Sequence, residues 1–120
     1  MSFSKEDLEA MGYKQKSLKS LNHNEGKDRP SLILKDMKSA FKEVLKVREM
    51  GAKKYDRLNW AESIGTDHQE EWLSDNIDSI YRHLIALEDE ELDDESQCHH
   101  LAHVAVRAMM GIEYYAAKNP

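Results

Sequence analysis

Arg82-His-Leu-Ile-Ala-Leu-Glu-Asp-Glu-Glu-Leu-Asp-Asp-Glu-Ser-Gln-Cys-His-His-Leu-Ala-His103 is the stretch from which the architecture of this 120-residue chain can be read. It carries four of the chain's six histidines and seven carboxylates, and a helical apolar stripe leads away from it on each side. Its middle, Leu92 to Ser96, is a short acidic connection between two amphipathic segments, which predicts an antiparallel helical hairpin. Glu90 at the end of one helix then neighbours His100 and His103 at the start of the next. Apolar packing does not ask for imidazoles and carboxylates together; a divalent metal accepts both.

Working outward, the first helix of the hairpin spans about Glu70 to Glu90, with Leu73, Ile77, Ile80, Leu84 and Leu87 as its core stripe. Trp72, Tyr81 and Ile85 broaden that stripe. Asn76, His83 and Glu90 recur every seven residues and line one flank of it. The second helix, which Ser96 or Glu95 could cap, presents Leu101, Val104, Ala105, Ala108, Ile112 and Tyr115 as its core face. His100, His103, Arg107 and Tyr114 fall on the adjacent edge.

A further helix begins at Pro30, where a missing N–H costs nothing, and places Leu34, Met37, Phe41, Val44, Leu45 and Arg48 on one face before Gly51 ends it. Asp36 and Glu43 share an edge of that helix, as surface carboxylates or as contributors to a site. Gly51 to Trp60 breaks the periodicity and gathers Lys53, Lys54, Tyr55, Asn59 and Trp60. Lysines offer charge to phosphate and aromatic rings offer flat faces to a base; the plainer reading is that the rings plug a bundle end. Ser63 to His68 reads as a turn. Residues 1–28 read as a polar arm with a short helix capped at Ser4 and ended at Gly12, and residues 29–120 as one all-α domain.

Composition narrows the function. Hydrophobic residues are 40%, charged residues 33%, and Gly and Pro number five and two, which suits a soluble, helix-rich domain. A net charge of −6 argues against coating nucleic acid, so phosphates must be neutralised locally. The single Cys98 cannot close an internal disulfide and fits a reducing cytoplasm, as a small filler beside His99 or as a metal ligand. Neither a membrane helix nor a signal-peptide core is present in the sequence pattern. A thiolate zinc site lacks its cysteines, and His-Glu-x-x-His is absent. Carboxylates with some imidazole suit Mg2+ or Mn2+ on phosphate oxygens, with Glu90 or Glu95 able to take a proton from water. The alternative is a structural hydrogen-bond network within a non-catalytic nucleotide-binding or interaction module.

Three blocks in order, Gly51-Ala-x-Lys-Tyr-x-x-x-Asn-Trp60, Arg82-His-Leu-x-Ala86 and Glu90-x-x-Asp-x-Glu-Ser-x-x-His-His-Leu-Ala-His103, resemble a phage-associated family of dATP/dGTP diphosphohydrolase N-terminal domains. That family is similar to the MazG-type all-α nucleoside triphosphate pyrophosphatases, which hold Mg2+ with acidic residues on bundle helices. The resemblance implies that Lys54, Tyr55, Asn59 and Trp60 contact phosphate and base or sugar, and that Arg82 steadies phosphate charge. It implies that His83, Glu90, Asp93, Glu95, His100 and His103 bind or position Mg2+ (or Mn2+), with Glu90 and Glu95 catalytic. Two departures stand out. Asp89-Glu90-Glu91 replaces a pattern with Gly before its Glu, so Glu90 and Glu91 compete for one role. Gln97 stands where the family tends to have Gly after its Ser.

The expectation is therefore a MazG-like helical bundle built on three long amphipathic helices and completed by homo-oligomerisation, since 120 residues cannot cover their apolar faces. It would hydrolyse purine deoxynucleoside triphosphates to the monophosphate and pyrophosphate in the cytoplasm of a phage-infected bacterium. An HD-type phosphohydrolase would need an adjacent His-Asp pair, which this sequence lacks.

Overall fold

Among the residues that the computed structural model describes, 4–10 and 26–118, the regular elements are helical. They are α1 (Lys5–Ala10), α2 (Ser31–Leu34), α3 (Lys38–Lys54), α4 (Gln69–Leu87) and α5 (His100–Lys118), with a 3-10 turn at Asn59–Ala61. The expected all-α class is what the chain adopts. α1 starts as the sequence suggests: the Asp7 amide donates to the Ser4 hydroxyl (3.1 Å) and the Ser4 amide to the Asp7 carboxylate (3.2 Å). Its expected end at Gly12, and the segment 11–25 of the polar arm, lie outside the described residues.

The long helix expected from Pro30 is two. Pro30 caps α2, and the backbone then turns through residues 35–37, with Met37 at φ −116°, ψ 41° before α3 begins. At the other end α3 does not stop at Gly51. It runs three residues further, and Tyr55 in extended conformation ends it, its amide still bonded to the Gly51 carbonyl at 2.9 Å. Lys53 and Lys54 in that last turn suit the negative pole of the helix. The expected turn before α4 is present, with Gly65 at φ 75° and its amide donating to the Gln69 side chain at 2.8 Å.

α4 and α5 form the antiparallel hairpin, but the faces they turn to each other are not the apolar stripes. Down the seam lie Trp72 stacked on Tyr114 (centroids 3.9 Å apart, planes at 7°), then Asn76 donating to the Arg107 carbonyl (2.9 Å), then His83 against His100 (Nδ1 to Nδ1, 2.9 Å). Leu73, Asn76 and Ser79 on α4 are buried, as are His100, Ala102, Val106 and Tyr114 on α5. The stripe expected to be core is largely outside: Ile77 is 48% exposed, Ile85 67% and Ile112 64%, with Leu84, Leu101 and Tyr115 also exposed. Both helices are thus rotated so that the polar flank faces inward, and the apolar face is left for another surface. None of the helices among the described residues is long and apolar enough to cross a membrane.

Tyr114 fastens the connection between α3 and α4 to this seam. It is fully buried, and its hydroxyl donates to the Trp60 carbonyl at 2.6 Å while its ring meets Trp72 on one side and Trp60 at 6.4 Å on the other. Burial raises the phenol's pKa, so the hydroxyl stays a donor. Tyr114→Phe keeps the stacking and strands a carbonyl; it is expected to cost about 1–2 kcal/mol in denaturant unfolding, whereas Tyr81→Phe on the exposed face changes stability by no more than about 0.5 kcal/mol.

Candidate active site in the groove between α3 and the hairpin

The loop that joins α4 to α5 is held by its own backbone before any side chain acts. The Asp93 amide donates to the Cys98 carbonyl (2.8 Å), the Gln97 amide to the Asp93 carbonyl (2.7 Å) and the His100 amide to the Glu91 carbonyl (3.0 Å). This tight return puts Gln97 in the left-handed region at φ 60°, a cost of about 1–2 kcal/mol for a residue with a Cβ. Its side-chain amide offsets part of that by donating to the Asp94 carbonyl at 2.8 Å. The glycine expected here on resemblance fits this backbone without strain.

The loop delivers Asp93 and Ser96 to the imidazoles. The Ser96 amide donates to the Asp93 carboxylate (2.8 Å), the Ser96 hydroxyl meets His103 Nε2 (2.7 Å), and the His103 ring stacks on His83 (4.4 Å, 5°). His83, Asp93 and His100 each offer one ligand atom, all within 4.8 Å of one another. Burial, together with the mutual repulsion of the rings, holds the His83 imidazole below the usual histidine range, and burial does the same for His103. Burial alone would raise Asp93, but the Ser96 amide and hydroxyl and the two imidazoles outweigh it, so its pKa is lowered. The result is two neutral rings beside an ionised carboxylate. The donor set of His83, Asp93 and His100 fits a divalent cation.

Beside this cluster lies a groove of about 790 Å3, walled by α3, the 55–63 segment and the α4–α5 seam. Such a volume suits a nucleotide-sized ligand. One end is aromatic, with Trp60 and Trp72; the other is polar, with Lys54, His83, Asp93, Glu95, His103 and Arg107. Lys54 and Glu95 pair across the rim at 3.0 Å, and the bond raises the pKa of the lysine. Both are largely in solvent, so the pair adds little stability and can be parted readily. Gly51 also lines the groove, and a Cβ there would meet nothing within 4 Å, so the cavity runs up to bare helix backbone.

Of the residues singled out from the sequence, Lys54, Tyr55, Asn59, Trp60, His83, Asp93, Glu95 and His103 all border this groove. His100 sits behind them, buried against His83. Glu90 and Arg82 do not border it. Glu90 is exposed, and its carboxyl is raised by hydrogen bonding to Asp94. Arg82 is exposed on α4, and after burial it is the main influence that lowers the pKa of Arg107. Sequence reasoning placed Arg107 on the His103 edge without giving it a role; its four-residue spacing from His103 was the available signal. Arg48, which lies 5.9 Å from the Trp60 ring centroid, and Trp72 were read only as core-face residues.

The sequence profile of the family described as dATP/dGTP diphosphohydrolase, N-terminal, matches residues 17–119. Neither a curated protein nor a solved structure matches the chain.

Gly51→Ala should stabilise α3 by about 0.5–1 kcal/mol, because the backbone there is already helical, while the new methyl group intrudes on the groove and should weaken the binding of any ligand seated in it. Opposite signs in a thermal melt and in calorimetric titration would check this. The imidazoles give a pH dependence. Unfolded, His83 and His103 charge near the ordinary value of 6.5; folded, they resist until lower pH. The metal-free protein should therefore keep full stability above the unfolded value and lose it as pH falls through the folded values, with Asp93 adding a loss of the same sign at still lower pH. Melting temperatures between pH 7.5 and pH 5 measure it, and His103→Gln should flatten the slope.

Proposed function

The chain belongs to the dATP/dGTP diphosphohydrolase N-terminal family, and we propose that it hydrolyses a purine deoxynucleoside triphosphate, dATP or dGTP, to the monophosphate and pyrophosphate. The observation that carries this reading is the two-ended groove. Its aromatic end offers Trp60, whose buried Nε1 has no hydrogen-bond partner among the described residues, and its polar end gathers cations, imidazoles and carboxylates. A base on the rings and a triphosphate towards the loop use both ends at once.

In this reading His83, Asp93 and His100 hold the divalent ion, and Ser96 and His103 keep Asp93 and His83 in position. When bound, such an ion polarises phosphoryl oxygens and lowers the pKa of water. Lys54 exchanges Glu95 for a phosphate oxygen, and Arg107 meets the same charge from the groove floor. Glu95, released from Lys54, accepts the proton of the water that attacks the α-phosphorus; the α–β bridging P–O bond breaks, and pyrophosphate leaves with its electron pair. Glu95 suits this task better than Glu90, which lies outside the groove. Tyr55 and Asn59 flank the sugar. The setting that follows is nucleotide-pool remodelling in the cytoplasm of a phage-infected bacterium.

The same reading includes a homo-oligomer. A stable dimer buries about 800 Å2 per partner. α4 and α5, at 19 residues each, are about 28 Å long, so the two side by side offer a face of that order. Ile77, Leu84, Ile85, Leu101, Met109 and Ile112 keep it largely apolar and exposed, and a second copy of the same face is the matching cover.

Glu95→Gln should lower turnover by roughly a hundredfold or more, with the circular dichroism unchanged and nucleotide affinity kept or tightened because Lys54 is released. A product panel that resolves monophosphate, diphosphate, pyrophosphate and phosphate reads the reaction. Binding without pyrophosphate release under every divalent ion would favour the non-catalytic module. Light scattering should give a multiple of 13.9 kDa, and Ile85→Asp with Ile112→Asp should reduce it to a single chain.

A further inference from the structure

The donor set beside the groove says which kind of ion it prefers. Mg2+ demands oxygen ligands in near-octahedral array and sheds water reluctantly. The cluster here supplies two imidazole nitrogens and one carboxylate oxygen, from three different segments: His83 on α4, Asp93 in the loop and His100 at the start of α5. Imidazole suits first-row transition ions, with affinity rising from Mn2+ towards Co2+, Ni2+ and Zn2+. The carboxylates that would suit Mg2+ are elsewhere: Glu90 is exposed with Asp94, and Glu95 is on the groove rim with Lys54.

The distance between the rings adds a second argument. His83 Nδ1 and His100 Nδ1 are 2.9 Å apart. Two nitrogens bound to one ion at about 2.1 Å stand roughly 3 Å from each other at an octahedral angle and about 3.4 Å at a tetrahedral one. The rings are therefore already spaced as two ligands of one ion. His100 is 5% exposed, an unusual burial for a side chain whose Nδ1 meets another imidazole. Asp93 is oriented by the Ser96 amide and His83 by the His103 stack, which is the kind of support that fixes ligands before an ion arrives.

We infer that His83, Asp93 and His100 form a transition-ion site that takes Mn2+ in preference to Mg2+, and Co2+ or Zn2+ more tightly still. This rests on the metal-dependent reading above and goes beyond it by separating a protein-held ion from the Mg2+ that accompanies a nucleoside triphosphate in solution. On binding, the ring that donates across the His83–His100 contact moves its proton from Nδ1 to Nε2, so that both Nδ1 lone pairs face the ion and no proton is lost.

The test uses the full chain stripped with chelator and titrated with Co2+, Zn2+, Mn2+ and Mg2+ in the absence of nucleotide. Calorimetry should give one site per chain, with Co2+ and Zn2+ at least about a hundredfold tighter than Mg2+. The Co2+ form should show visible d–d absorption, and the 15N resonances of His83 and His100 Nδ1 should shift on Zn2+ addition. His100→Asn and Asp93→Asn should each lose the Co2+ band. Because a buried substitution can unfold the hairpin, circular dichroism is recorded for both, and the nitrogen shifts in the unsubstituted protein stand independently. Equal affinity for Mg2+, or a Co2+ band that survives in both folded variants, would overturn the inference. Pyrophosphate release with Mg2+ alone, without any shift at His83 or His100, would also overturn it while leaving the hydrolysis intact. A tight Co2+ site at these residues with no hydrolysis of any nucleotide would support the inference and remove the hydrolysis.

Discussion

The polar seam between α4 and α5 is the constraint on which the remaining structure depends. Trp72 against Tyr114, Asn76 on the Arg107 carbonyl and His83 against His100 hold two long helices together through groups that ordinarily stay wet. Buried polar groups are costly unless bonded, so each contact must be met by its partner across the seam. Asn76 meets this only at one atom: its amide nitrogen is satisfied by the Arg107 carbonyl, while its buried Oδ1 lacks a hydrogen-bond partner among the described residues. Gly111 faces Asn76 across the seam, where a Cβ would make ordinary contact with the amide nitrogen at 3.5 Å. A seam of this kind fixes register more sharply than an oily one, because a slip of one residue breaks several specific contacts.

Two consequences follow from turning the polar flank inward. The imidazoles are drawn out of water and kept neutral, which makes them ligands or acceptors rather than cations. The apolar stripes are turned out, which leaves a single chain with broad exposed surface on both hairpin helices. Site and exposed face thus come from the same rotation. The groove's charge balance points the same way: Arg48, Lys54 and Arg107 line it with Asp56, Glu62, Asp93 and Glu95. Three cations against four carboxylates do not by themselves welcome a polyanion, and a divalent ion would change that balance.

Much of this was legible before the fold. Seven-residue spacing put Asn76 and His83 on one flank, and four-residue spacing put His103 beside Arg107; both sets meet at the seam. The resemblance named the groove residues from Lys54 to Trp60. What periodicity could not give was the direction of the rotation, because it identifies a helix face without saying what covers it. The strongest stripe reads as the internal core, and in a single chain most of it faces outward, Leu73 excepted. Glu90 belonged to the seven-residue flank, yet α4 ends at Leu87 and releases it towards Asp94 and solvent. Gly51 looked like a stop signal; its neighbours are good enough helix formers to carry α3 on to Lys54. Gln97 is the one position where a noted departure from the family coincides with a strained backbone.

A nucleotide bound as proposed would span the groove from the tryptophans to the histidines. Titration of the isotope-labelled chain with a non-hydrolysable dGTP analogue, followed by the Trp60 and Trp72 indole signals and the His83 and His103 ring signals, tests it most directly. Both sets of signals should shift together with one dissociation constant. Shifts confined to one end, or to neither, would contradict it.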